Sequence, residues 1–333
     1  MNMRDVKVSI VVPMYNSSEY LRECLDSLAG QSLKEVEFVL VNDGSTDSTL
    51  EIANEYRRND KRFRIIDKEN TGYGDSVNKG IDLAKGEYVG IVEPDDYCDK
   101  EMFGILYDIA RINKVDVAKT GYYLYSKGET KVQAPLFKNE SEITIEPIKK
   151  YVVFFEPPAI WSGIYRREFL KKNRITLLRT PGASYQDAGF NFKVLACAEK
   201  VSYVSKPLYY YRTDNPGSSV KDLKKTMAVV NEYESVEEFV GRLKNKELLL
   251  KYCQVAKFGA YHWNLLRLKR QDARRFMKTM KKEFRIKKGE GLLDRRYFPK
   301  KYWISLEALL ILPISLYLVL FELRKCIKKS KMI

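Results

Sequence analysis

The stretch KVSIVVPMYNSSEYLRECLDSL, residues 7–28, decides the fold. From Lys7 to Val12 it is β-branched and apolar and reads as a strand. From Ser18 onward, Leu21, Leu25 and Leu28 recur at helical spacing behind Ser17 and Ser18, residue types that cap helices. The turn between them, PMYNSSEY, contains no glycine. A dinucleotide-binding βαβ unit needs its glycine fingerprint in that first turn, where the backbone must approach a pyrophosphate. The later GYGDSVNKG offers Gly72 and Gly74 but has Val77 at the third glycine position. Strand followed by helix is expected here, and hydride transfer on a nicotinamide cofactor is disfavoured.

The same alternation continues. Glu35–Val41 reads as a strand, Asp43-Gly44-Ser45 as a turn, and Leu50, Ala53 and Tyr56 mark a helix. Phe63–Ile66 and Tyr88–Val92 follow as strands, Gly74–Ala84 and Lys100–Asn113 as helices. This pattern predicts an α/β domain built on a mostly parallel sheet with helices on both faces. Ligands of such sheets bind beyond the carboxyl ends of the strands. Three conspicuous segments fall there: Val12–Asn16 (VPMYN), Val41–Asp47 (VNDGSTD) and Val92–Asp96 (VEPDD).

In the third segment Glu93, Asp95 and Asp96 crowd together. Such carboxylates repel one another unless a cation, a hydrogen-bond network or open water relieves them. The residues alone leave two readings, an exposed turn or a metal site.

The 333 residues leave room for roughly two domains, and 45% apolar content suffices for a core. Five scattered cysteines without a CxxC pair argue against a zinc site or disulfide framework and fit a reducing compartment. The N-terminal MNMRDVKVSIVVP moves straight into a strand pattern, so no secretory signal is expected. The net charge of +15 is uneven: residues 221–333 carry 28 Lys and Arg against 12 Asp and Glu, residues 1–220 carry 31 against 32. A basic third behind a neutral domain points to a polyanionic surface, nucleic acid or anionic lipid. Within it, Arg267–Lys288 lacks aromatic interleaving and any nucleic-acid motif, which disfavours a nucleic-acid-binding protein. The single histidine, His262, lies in this helical region and is expected to pack there.

Taken together, VSIVVPMYN, VNDGSTDST, NTGYGDSVNKGIDLAKGEY and VEPDD resemble the family 2 glycosyltransferases of the GT-A fold, over roughly residues 6–220. The resemblance implies an inverting, metal-dependent transfer of a sugar from a UDP- or dTDP-sugar to a saccharide acceptor, of the kind used in bacterial cell-surface polysaccharide synthesis. It implies Asp95 as ligand of Mn²⁺ or Mg²⁺, with Glu93 reaching ribose or a metal-bound water and Asp96 in support. The first Asp of the family's D-x-D pattern is Glu93 here. Pro13 and Tyr15 match positions lining the nucleobase pocket, and Asp43 matches the carboxylate that bonds the base; a turn or helix cap explains Asp43 equally well. Asn70 and Gly72 match a loop that approaches the donor, and Lys79 stands in for an arginine that Val77 replaces. Asp187, in SYQDAGF, matches the general base, with Gln186 where the family has Glu and expected near the acceptor. Arg212 and Ser218 match a segment closing over the diphosphate, and Trp161 is a candidate sugar platform. A nucleotidyltransferase on a related fold is the rival enzyme, but VPMYNSSEY lacks the Gly-rich basic loop it would need.

Three regions are expected: a catalytic domain over 1–220, a basic helical region over 221–301, and an apolar membrane-attachment helix with a basic tail over 302–333. Tyr302–Phe321 is about as long as a bilayer span, but Glu307 and Pro313 interrupt it. An interfacial anchor on an anionic membrane fits better than a clean span. The expected location is the cytoplasmic face of the cell membrane, with a lipid-linked acceptor. Packing against a sister subunit in a homo-oligomer is the alternative use of this segment.

Overall fold

The computed structural model describes residues 6–133, 141–217 and 226–330, with side chains to residue 323. It forms two compact units, Met1–Lys221 and Asp222–Ile333.

The first unit opens as the sequence predicts, with β1 (Val8–Met14), β2 (Val36–Asp43), β3 (Phe63–Lys68) and β4 (Tyr88–Ile91) separated by α1 (Ser18–Ala29), α2 (Thr49–Asn59) and α3 (Tyr73–Leu83). These strands pair in parallel in the order β3-β2-β1-β4. Every residue of β1 and β2 is buried. That explains their largely apolar runs, since a strand covered on both faces has no polar side to alternate with; the buried Ser9 and Glu37 that interrupt them bond each other at 2.6 Å.

Beyond β4 the sheet departs from the mostly parallel expectation. The chain continues through β5 (Tyr97–Cys98), α4 (Met102–Ile112), β6 (Val117–Ser126), β7 (Glu129–Gln133), β8 (Glu142–Ile145), β9 (Gly163–Arg166), α5 (Arg167–Lys172), α6 (Gln186–Cys197) and β10 (Val201–Arg212). The full order is β3-β2-β1-β4-β9-β6-β10-β5, with β7 on β6 and β8 on β10. Strand β9 runs antiparallel to both β4 and β6, and β5, β7 and β8 are antiparallel to their partners. The result is a mixed sheet. Parallel pairing requires a long crossover, whereas β6 and β7 are joined by a two-residue turn, Lys127-Gly128, that can only reverse the chain.

Helix α6 and the twelve-residue β10 lie in a stretch whose sequence shows no clear strand or helix period. Their patterns are concealed for physical reasons. Pro207 interrupts β10 and the register with β6 shifts on either side of it. Helix α6 buries most of its residues, so it shows little amphipathic period.

The second unit consists of α7 (Ala228–Val240), α8 (Lys246–Arg267), α9 (Arg270–Gly289), α10 (Lys300–Ile311) and α11 (Ile314–Ser330). Lys257 on α8 lies between Glu237 (3.1 Å) and Glu283 (2.8 Å). His262 packs beside Phe258 and Tyr302. The single apolar helix expected over 302–321 is two helices. Leu312 adopts extended backbone (φ −71°, ψ 151°), because Pro313 disfavours the helical conformation at the residue before it. Among the described residues no helix is long and apolar enough to cross a membrane.

Candidate active site

The carboxyl ends of β1, β2, β3 and β4 open onto one set of loops, which side chains fasten together. After β1, Asn16 enters the left-handed region (φ 48°) and its side-chain oxygen accepts from the Thr46 backbone N–H at 2.8 Å. Asp47 accepts from the N–H groups of Ser18 (3.1 Å) and Thr49 (3.0 Å). Burial acts to raise its pKa, but these donors outweigh it and hold the carboxyl at about 2. Pro13 is buried in β1, and Tyr15 projects its ring into solvent, 52% exposed.

Asp43, at the end of β2, does not cap a helix. Its carboxylate accepts from the Thr71 and Gly72 N–H groups, each at 2.9 Å, and pairs with the ammonium of Lys68 from β3. It thereby shapes the 68–72 loop. Gly72 sits at φ +100°, and a Cβ there would lie 2.4 Å from the Thr180 carbonyl oxygen, so two loops meet with room only for glycine. Asn70 stands exposed on this loop. One turn into α3, Asn78 donates to the Leu177 carbonyl and accepts from the Leu177 N–H, both at 2.9 Å. Lys79 is exposed on the same helix whereas Val77 and Asn78 are buried, so Lys79 does not replace an inward-facing arginine.

The acidic loop after β4 resolves its repulsion partly through hydrogen bonds. Both oxygens of the buried Asp96 are occupied, by the Tyr209 hydroxyl at 2.8 Å and the Arg212 N–H at 2.7 Å. The Tyr209 oxygen also accepts from the Glu93 N–H at 3.1 Å. Burial and the nearby Asp95 push the Asp96 carboxyl well up. Tyr73 donates to Glu93 at 2.6 Å; burial, aided by Asp95 and Asp187, still raises Glu93 to about 8. Asp95 is half-buried and one of its oxygens accepts from Asn215 at 2.8 Å.

This set suits a hard divalent ion in one way. Asp95 presents one carboxylate oxygen that no described hydrogen bond occupies, in a loop where its charge helps raise the Glu93 and Asp96 carboxyls. Among the described residues no group of three or more His, Cys, Asp or Glu side chains is arranged to hold a metal. An ion here would take one or two protein oxygens and complete its shell from phosphate and water, the usual habit of Mg²⁺.

Helix α6 begins at Gln186, with Tyr185 in the left-handed conformation as its N-cap. Asp187 therefore lies in the first turn rather than at the cap, accepting from the Ala188 N–H at 2.8 Å. Burial pushes its carboxyl up, opposed by that N–H and by the charge of Lys119. Asp187 is close enough to raise the pKa values of Glu93, Tyr73 and Tyr211, which places the acidic loop and this helix start around one space.

Three expected site residues serve other contacts. Gln186 is buried, donating to Thr180 (2.8 Å) and Gly182 (3.0 Å) and accepting from the Ser184 N–H, so its amide holds the 180–184 loop instead of meeting an acceptor. Arg212, expected at the diphosphate, is sandwiched between the rings of Tyr20 and Tyr125, pairs with Glu23, and donates to the Asp95 carbonyl at 2.8 Å. It braces the acidic loop from behind. Trp161 is buried between Tyr209 and Tyr211, with ring centroids 4.4 and 5.1 Å away. Ser218 lies outside the described residues. Sequence reading missed Lys68, Tyr73, Lys119, Tyr209 and Asn215. Of these, Tyr73 stands in the quoted GYGDSVNKG segment and Tyr209 in the run Tyr209–Arg212 (YYYR), but nothing in either segment marks the contact each makes.

Known proteins resemble this chain in sequence and in fold. The model of the family "Glycosyl transferase family 2" matches residues 9–196. An uncharacterized glycosyltransferase, EpsJ of Bacillus subtilis, is 35% identical over 216 residues, covering 63% of this chain and 62% of that protein. The poly(ribitol-phosphate) beta-glucosyltransferase of Bacillus spizizenii is 30% identical over 250 residues, covering 73% of this chain and 38% of that protein. The chain thus spans under two thirds of the length of either relative. Among solved structures, S. aureus TarS 1–349 in complex with UDP-GlcNAc superposes with a TM-score of 0.77 at 22% identity, covering 95% of this chain and 90% of that one.

Proposed function

The chain belongs to glycosyl transferase family 2, and from that premise we propose that it transfers a sugar with inversion from a UDP- or dTDP-sugar to a saccharide acceptor of a cell-surface polymer. The observation that carries this reading is geometric: Tyr73 ties the loop after β3 to Glu93 at 2.6 Å, and Gly72 lets the 180–182 segment leading to Asp187 pack against that same loop. A base on one side and an acidic, cation-suited loop on the other are what displacement of a nucleoside diphosphate by a hydroxyl requires. The UDP-GlcNAc bound by TarS and the polymer named for the Bacillus spizizenii enzyme support the donor and acceptor classes.

In this mechanism Tyr15 and Pro13 flank the nucleobase, and Asp43 fixes the 68–72 loop while a remaining lone pair of its carboxylate accepts a base N–H. Glu93 orients the ribose side. Asp95 would hold Mn²⁺ or Mg²⁺, which when bound supplies positive charge to the leaving diphosphate. Asp187 takes the proton of the attacking acceptor hydroxyl. Its burial raises proton affinity towards that of a useful base at neutral pH.

The second unit supports attachment to an anionic membrane at the cytoplasmic face, where a lipid-linked acceptor would lie. On α11, Leu316, Val319, Leu320 and Leu323 are exposed at i, i+3, i+4 and i+7, an apolar stripe on a chain region of net charge +16. Such a helix lies in the interface plane. Incubating the protein with UDP-sugars, Mn²⁺ and a saccharide acceptor, then analysing the anomeric product by NMR, tests the reaction; retention of configuration or absence of transfer with every donor would refute it.

A further inference from the structure

Strand β6 carries a lysine where the packing asks for none. Lys119 is only 6% exposed, and its stem crosses Gly163, its register partner on β9. A Cβ at 163 would lie 2.9 Å from the Lys119 Cγ and 2.7 Å from the Ala118 carbonyl oxygen, so the buried side chain passes because residue 163 is glycine. The ammonium donates to the Asn191 side-chain oxygen at 2.9 Å and to the Pro158 carbonyl at 3.3 Å. Both partners are neutral. A buried ammonium whose hydrogen-bond partners are all neutral is costly, and the carboxylates that offset the cost, Glu156 and Asp187, act on it without a direct ion pair.

Asn191 lies four residues after Asp187 on α6, and residues so spaced share one helix face. The hydrogen bond to Asn191 therefore holds the Lys119 ammonium against α6 one helical turn along from Asp187. We infer that Lys119 is a positioning residue for the reaction, a buried ammonium that holds Asp187 in its ionised, proton-accepting form. The inference rests on the reading of Asp187 as base.

The surrounding groups are consistent with this role. Around Lys119 the charged neighbours are Glu156 and Asp187, and the Tyr122 and Tyr203 phenols line the same small cavity, of about 50 Å³. Burial keeps both phenols protonated. Around Asp187 stand Lys119, Glu93, Tyr73 and Tyr211. Burial lowers Lys119 to about 7, while Glu156 and Asp187 oppose the fall. Its charge is accordingly complete on the acid side of neutrality, where a buried carboxyl would otherwise take up a proton.

The test is a ¹³C NMR titration of the full chain labelled at aspartate Cγ, the Asp187 resonance being identified by its loss in Asp187→Asn. In Lys119→Met the Asp187 midpoint should move to higher pH. The acidic limb of the transfer profile should move with it, each pH unit lowering the rate at a fixed acidic pH about tenfold. UDP affinity with Mn²⁺ should remain within about twofold. Asn191→Asp places a competing carboxylate on the same ammonium, should shift the midpoint in the same direction, and serves if Lys119→Met fails to fold. An unchanged Asp187 midpoint in a folded variant overturns the inference. Full transfer activity in Asp187→Asn would instead overturn the base assignment, whatever the titration gives.

Discussion

The hydroxyl of Tyr73, at the start of α3, donates to Glu93 at 2.6 Å across twenty residues of chain. This bond joins the loop after β3 to the acidic loop after β4. It also opposes, without cancelling, the burial that raises Glu93 to about 8.

Glu93→Gln should therefore stabilise the protein at alkaline pH. The folded-state pKa lies above the ordinary 4.5, so between 4.5 and 8 the folded chain retains a proton that the unfolded chain has released, and stability falls as pH climbs through that window. In thermal melts without divalent cation, the variant should match the parent near pH 4.5 and melt higher at pH 9. Equal melting at both pH values would contradict the assigned environment.

Asp95→Asn should weaken Mn²⁺-dependent UDP binding by at least about tenfold, because an amide is a poorer ligand for a hard cation. Calorimetry in EDTA should show the two proteins binding UDP equally. If Mn²⁺ leaves UDP affinity of the parent protein unchanged, Asp95 is not its ligand.

Asp187→Asn should lower transfer by about 10²–10⁴-fold, the usual contribution of a general base, with UDP affinity preserved. Gln186→Ala should behave differently. It leaves Thr180, Gly182 and Ser184 without their partner, and loss of such buried hydrogen bonds costs about 1–3 kcal/mol. Chemical denaturation should register that loss in Gln186→Ala and little change in Asp187→Asn.

Leu316→Glu combined with Leu320→Glu alters exposed positions only, so the fold should persist. Sedimentation with phosphatidylglycerol vesicles should fall several-fold relative to the parent chain. Undiminished vesicle binding would move the contact surface away from α11; a change from dimer to monomer would assign the stripe to a second copy.

The first four strands could be read from the sequence because buried parallel strands produce dense β-branched apolar runs, as in Ile10–Val12. The loops at their ends were equally visible, since Asp43, Gly72, Glu93 and Asp95 stand in short polar segments directly after those runs. The second half of the sheet was hidden by Pro207 in β10 and by the nearly complete burial of α6. Residue type alone also misassigned partners. Arg212 looks like a phosphate ligand in sequence, but two tyrosine rings and Glu23 surround its guanidinium. Lys119 carries no mark among 59 lysines and arginines; only the glycine opposite and the asparagine on α6 distinguish it.

The paired hydrogen bonds between Asn78 and Leu177 connect positions 99 residues apart, one on α3 and the other at the root of the segment leading to Asp187. These two parts of the first unit are therefore not interchangeable modules. A chimaera that imports residues 175–187 from another enzyme to accept a different sugar must import a compatible residue 78 with them, or the new segment arrives without its anchor.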